Sequence, residues 1–175
     1  MIGAHRLAQI AASTPRMARA LPDMPMAGTV MVRLLRAAEF GLGDFFEPAF
    51  RAMGLSEHSF HVLCLLMASE TGTASPSALS EMIGTSRANM TRILDELAED
   101  GWISRKIAAR DGRRHIIAIT AAGRRKVHDT VPRIAEPIHR AFSDLSADEM
   151  TLLNKLLQKL ILSFDKGAAA LRAAI

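Results

Sequence analysis

Apolar positions recur every three to four residues along most of this chain, and only short stretches suit a strand. The helical spacing opens in "GTVMVRLLRAAEFGLGDFFEPAFRAMGL" (28–55), where Val32, Leu35, Phe46 and Phe50 mark one face. Gly41, Gly43 and Pro48 interrupt that pattern and predict a kink near 41–48. "SEHSFHVLCLLMAS" (56–69) reads as a second helix with Ser56 as its N-cap, and "ETGTASP" (70–76) as a turn. Ser75 followed by Pro76 predicts a cap and a first helical residue. The short helix they open, "PSALSEMIG", stops at Gly84. "SRANMTRILDELAEDG" then runs from Ser86 to Gly101 as an amphipathic helix, with Met90, Leu94 and Leu97 as its buried stripe. "WISRKIA" (102–108) and "HIIAIT" (115–120) read as two short strands around an arginine-rich loop. Two long helices follow. "AAGRRKVHDTVPRIAEPIHRAF" should bend at Pro132 and Pro137, and "SADEMTLLNKLLQKLILSFDKGAAALRA" opens with a capping box, Ser146 with Glu149.

Composition narrows the class. A length of 175 residues suits one domain with a real core. A single cysteine excludes a disulfide framework and fits a reducing, cytoplasmic setting. No uninterrupted apolar run reaches about 18 residues, so no membrane span is expected. The first 22 residues hold three arginines and no acid, which resembles a weak targeting signal without its apolar core. Residues 1–27 are therefore an N-terminal extension that could form a short helix.

Charge placement changes the picture more than net charge does. The chain carries +4 overall, yet residues 85–126 alone carry +5. Such a patch suits an anionic polymer; a solvated face is the plainer alternative. The order short helix, tight turn, amphipathic helix, hairpin is that of a winged helix-turn-helix, whose second helix enters a DNA groove N-terminus first. Ser86, Arg87, Asn89, Met90, Thr91 and Arg92 fill the half that would meet DNA. Asp95, Glu96, Glu99 and Asp100 fill the half that phosphate would repel. Arginine and asparagine are also the side chains that read guanine and adenine edges in pairs of hydrogen bonds. In "ARDGRRHIIAIT" (109–120), Arg110, Arg113 and Arg114 surround Asp111-Gly112 at the hairpin tip, suited to the backbone and the minor groove.

"SRANMTRILDELAEDGWISR…DGRRHIIAITAAG" resembles the MarR family of bacterial transcription regulators. Asp111, Arg113, Ile119, Thr120 and Gly123 match that family's wing pattern in register, and "LDEL…DGWISR" matches the end of its recognition helix and the next strand. The resemblance spans roughly residues 30–165 and implies a homodimer on a pseudo-palindromic operator. Asp95 would pair with Arg113 and, with Asp111, orient the wing. The expected fold is mainly α with a small β-wing. It is a winged helix-turn-helix (56–120) between long N- and C-terminal dimerisation helices (28–55 and 121–175).

MarR-like dimers are commonly tuned by a small molecule between the dimerisation helices and the winged domain. Here Arg51 and His61 are candidates to anchor a carboxylate or phenolate, with Phe45 and Met53 as apolar walls. The expected effector is a small aromatic or phenolic compound, with no other cofactor. His58, His61 and Cys64 share one helix, but their spacing rotates away from convergence, so core packing is preferred over a ligand pocket, metal or thiol sensor. No G-x-S-x-G, P-loop, H-E-x-x-H or dinucleotide turn is present, so no enzyme is expected. The expected function is a ligand-responsive repressor, with double-stranded DNA, a second copy and an effector as partners, and no membrane. An effector-blind architectural DNA binder and a helical protein–protein adaptor with a basic wing remain as alternatives.

Overall fold

Serine side chains fix where the central helices begin. Ser56, Ser75 and Ser86 each take extended backbone angles and accept from the N–H three residues on, at Ser59, Ala78 and Asn89. The computed structural model describes residues 2–108 and 111–173, with side chains placed for all of these except 107, 108, 111–114, 170 and 171. Helices α1 (Ile2–Ala20), α2 (Met26–Arg51) and α3 (Glu57–Ala68) come first. Strand β1 (Thr73–Ala74), helices α4 (Pro76–Ile83) and α5 (Arg87–Glu99), and strands β2 (Ile103–Ala108) and β3 (Asp111–Ile119) follow. Helices α6 (Ala121–Ala141) and α7 (Ala147–Ala173) close the chain.

The chain divides into two compact units, Met1–Ile134 and Ala135–Ile175. The core of the first lies where α3, α4, α5 and the sheet meet. Leu63, Leu66, Leu79, Ile93, Leu97 and Ile117 are among its fully buried side chains, each contributing about 1.5–3 kcal/mol of apolar burial. The sheet is antiparallel in the order β1-β3-β2, with Thr73 opposite Ala118 and Ile103 opposite Ile119. Gly84 ends α4 with φ of 72°, a left-handed conformation that favours glycine. The Ser80 hydroxyl donates to the Thr85 carbonyl at 2.6 Å and braces the turn into α5. In the second unit, no described residue of α7 is buried, and Leu153, Leu156, Leu157, Ile161 and Phe164 lie exposed.

Several expectations need correction. The N-terminal extension is not a short helix: α1 has 19 residues and α2 already begins at Met26. The two helices run antiparallel, because Arg6 stacks on Phe40 at 3.8 Å and Arg33 reaches Ser13 at 2.7 Å. Helix α2 runs continuously through Gly41, Gly43 and Pro48. Glycine in a helix costs only about 1 kcal/mol, and the stacking of Phe46 on Phe50, with Phe50 on Phe60, holds the last turns. Helix α6 likewise continues past Pro132 and Pro137. The stretch 70–76 is not only a turn, since Thr73 and Ala74 form β1; two residues show no periodicity, and β3 supplies their partner. Finally, β3 begins at Asp111 rather than 115. Arg113 and Arg114 thus belong to a strand, while Arg110 lies outside the described residues. Ile107 pairs with His115 but Ala108 with Asp111, so Gly112–Arg114 fall in a register shift of the ladder.

Candidate nucleic-acid interface

The exposed first turns of α5 collect the polar residues that the sequence singles out. The Ser86 hydroxyl is committed to the cap, accepting from the Asn89 N–H at 3.1 Å. Asn89 is half-buried and its amide donates to the Thr85 hydroxyl at 2.8 Å. Its carbonyl oxygen accepts from the Arg92 guanidinium at 3.0 Å, and Arg92 also pairs with Glu96. Arg87 and Thr91 are exposed, the Thr91 hydroxyl donating back to the Arg87 carbonyl at 3.0 Å. The positive end of the helix dipole adds to this face. Met90 departs from the set: it is 1% exposed and packs into the core, because it shares the inward face with Ile93, Leu94 and Leu97.

Two carboxylates of the acidic half of α5 are paired within the fold. Asp95 pairs with Arg105 of β2, and Glu96 with Arg92. Arg105 is therefore the partner of Asp95 among the described residues. The expected pairing of Asp95 with Arg113, and the wing-orienting role of Asp111, concern side chains outside the described set. Between α5, the start of α4, β1 and β3 lies an open groove of about 790 Å³. Arg87 and His115 stand on its walls with Thr73, Ser75 and Thr91, and Met90 forms part of its floor.

The wing is rooted by contacts that no local pattern announces. The Thr120 hydroxyl donates to the carbonyls of Gly101 and Trp102, at 2.8 and 3.1 Å, and accepts from the Gly123 N–H at 3.0 Å. It thereby caps α6 and ties it to β2. The Trp102 N–H donates to the Leu97 carbonyl at 3.0 Å, which fastens the end of α5 to the same point. These contacts give Thr120 and Gly123 of the wing pattern a physical reason. Arg105, His115 and β1 were missed by the sequence reading; the only signal for Arg105 was an unassigned charge on a strand opposite an acidic helix end.

The four residues expected to hold an effector are not brought together. Arg51 is exposed, pairs with Glu47, and lines three shallow depressions of about 440, 300 and 380 Å³. Phe45, Met53 and His61 line none of the three. Phe45 and His61 are exposed while Met53 is buried. Phe45 and Arg51 lie six residues apart on α2, Met53 in the turn that follows, and His61 on α3. Burial pushes the half-buried Cys64 thiol above its ordinary range, which makes it a poorer nucleophile. No group of three or more metal-binding side chains occurs among the described residues, and no helix there is long and apolar enough to cross a membrane.

The sequence pattern of the MarR family matches residues 55–115, the span from just before α3 into β3. The transcriptional repressor MprA of Escherichia coli (strain K12) is 31% identical over 144 residues, covering 82% of each chain. The crystal structure of a mutant MarR from E. coli complexed with operator DNA superposes with a TM-score of 0.69 at 20% identity, over 82% of this chain and 96% of that one. BpsR of Bordetella bronchiseptica, described with regulation of its DNA binding by 6-hydroxynicotinic acid, superposes with a TM-score of 0.66 at 23% identity, over 73% and 89%. The likeness at this coverage, together with the matched span and the winged-helix fold, shows that the chain belongs to the MarR family.

Proposed function

We infer that this DNA-binding transcriptional regulator is a repressor that grips a pseudo-palindromic operator as a homodimer and is released by a small effector. The observation that carries the reading is the capped N-terminus of α5, where Arg87, Thr91 and Arg92 are exposed and Asn89 half-buried between them, beside a basic hairpin. Arg87 and Asn89 are assigned to base edges, with Thr91 and Arg92 beside them. Arg110, Arg113 and Arg114 are assigned to the backbone and minor groove of the wing side. MprA, a repressor, and MarR, seen on its operator, support this reading. Exposed leucines along α7 support association with a second copy. BpsR supports an aromatic acid as the class of effector. No cofactor and no catalytic step are assigned, and a cytoplasmic location follows from the work.

The test is selection from a randomised duplex library, followed by anisotropy titration against the selected and a scrambled duplex at several salt concentrations. A palindromic consensus bound more tightly than scrambled duplex is expected. Equal affinity for every duplex favours the architectural reading, and no duplex binding favours the adaptor. A panel of aromatic acids titrated against the complex then tests release.

A further inference from the structure

Lys126 lies half-buried one turn into α6, where three parts of the first unit meet. Its ammonium donates to the Met53 carbonyl at 2.6 Å, just past the end of α2. It also sits 4.6 Å from the centre of the Trp102 ring, at the root of the wing. The last carbonyls of a helix lack intrahelical partners and attract cations. Two turns further along the same face of α6, Arg133 donates to the Ala52 carbonyl at 3.4 Å. Gly54 reverses the chain immediately afterwards with φ of 66°, and the Lys126 ammonium is the nearest group to the space a side chain there would fill. Trp102 is in turn bonded to the end of α5 through Leu97. One side chain therefore touches the end of α2 and the point from which both α5 and the wing depart.

We propose that Lys126 is a positioning residue for DNA recognition, clamping the end of α2 to the Trp102 root and so setting the pose of α5 and the wing. The proposal rests on the regulator reading above. The carbonyl holds the ammonium at a fixed height, and the indole face holds it laterally, since a cation over tryptophan is attracted by the ring quadrupole. Loosening this joint keeps every DNA-facing side chain but lets α5 and the wing, which share the Trp102 root, shift against α2, and recognition surfaces tolerate little looseness.

The test compares full-length wild type with Lys126→Met and Lys126→Arg, first by circular dichroism and urea unfolding. Affinity is then measured for a library-selected duplex and for a scrambled one, across salt. Lys126→Met is expected to lose about tenfold or more on the selected duplex, with little change on the scrambled one and an unchanged salt slope. Lys126→Arg, which keeps a cation and a donor, is expected to recover most of the loss. The emission of Trp102, the sole tryptophan, should shift in Lys126→Met and return in Lys126→Arg. If Lys126→Met does not fold, Lys126→Gln is read by the same ratio with the same outcomes. Unchanged affinity for the selected duplex overturns the proposal while leaving the regulator reading intact. Equal loss on both duplexes, with the salt slope reduced by about one, also overturns it and makes Lys126 a phosphate contact. Failure of wild type to bind any duplex overturns the regulator reading, and this inference with it.

Discussion

Gly123 packs so tightly beneath Trp102 that a Cβ at position 123 would overlap the Trp102 carbonyl oxygen. The same carbonyl accepts from the Thr120 N–H at 3.0 Å, so it cannot retreat without breaking the root of the wing. Gly123→Ala should therefore destabilise the first unit by about 1–3 kcal/mol, the usual cost of overpacking. Urea unfolding followed by Trp102 fluorescence measures this; an unchanged midpoint would show that the backbone yields freely there.

Arg33 of α2 donates to the Ser13 hydroxyl, the Thr14 hydroxyl and the Ile10 carbonyl of α1. Since no described residue of α1 is buried, this polar grip has little apolar packing behind it. Arg33→Ala should raise hydrogen exchange across 2–20 while leaving the amides of α5 protected. Equal protection of α1 in both proteins would contradict the assigned role of Arg33.

Arg87→Ala and Asn89→Ala should relax base preference at separate operator positions, by about 1–3 kcal/mol per good contact. Asn89→Ala should relax it less cleanly, because its amide is also bonded to Thr85 and its carbonyl to Arg92. Library selection with each variant is the measurement, and an identical consensus from both would remove them from base readout.

Introducing Glu at Leu153 and Leu156 should prevent association with a second copy. Both side chains are exposed on α7, and burying each in an interface contributes about 1.5–3 kcal/mol. Sedimentation at micromolar concentration should show wild type as a dimer and the variant as a monomer. A dimeric variant would locate the interface away from this stripe.

Acid should loosen the start of α7. Hydrogen bonds from the Ser146 N–H and hydroxyl hold the Glu149 carboxyl below its ordinary range. A carboxyl lowered on folding stabilises the cap above its unfolded value, and the benefit fades as pH falls through the lower folded value. Amide exchange at 147–150 should accelerate in that acidic window in wild type. In Glu149→Gln the same amides should exchange with a flatter pH dependence. Parallel profiles would remove Glu149 from the cap.

What the sequence displayed was whatever depends on neighbours along the chain. Ser56, Ser75, Ser86 and Ser146 are legible as caps because cap and acceptor lie three residues apart. The stripe of Met90, Leu94 and Leu97 is legible because a helix repeats. Strand β1 was hidden because Thr73 and Ala74 become a strand only through Ala118 and Ile117, more than 40 residues on. The pairing of Arg105 with Asp95 was hidden for the same reason, since Arg105 approaches it through strand geometry. Met90 served two expectations at once, and burial decided for the core.

Arginines at one end of α5 and carboxylates at the other make the helix a directional probe in the field of a polyanion. Asp95 and Glu96 are matched by Arg105 and Arg92, while Glu99 and Asp100 add negative charge at the same end, so a misoriented encounter with DNA is disfavoured and a correct one is drawn in. Such steering acts on the rate of arrival more than on residence. Added salt should therefore slow association of the wild type most steeply, and charge reversal at Arg87 should blunt that dependence without lengthening the search once the helix lies in the groove.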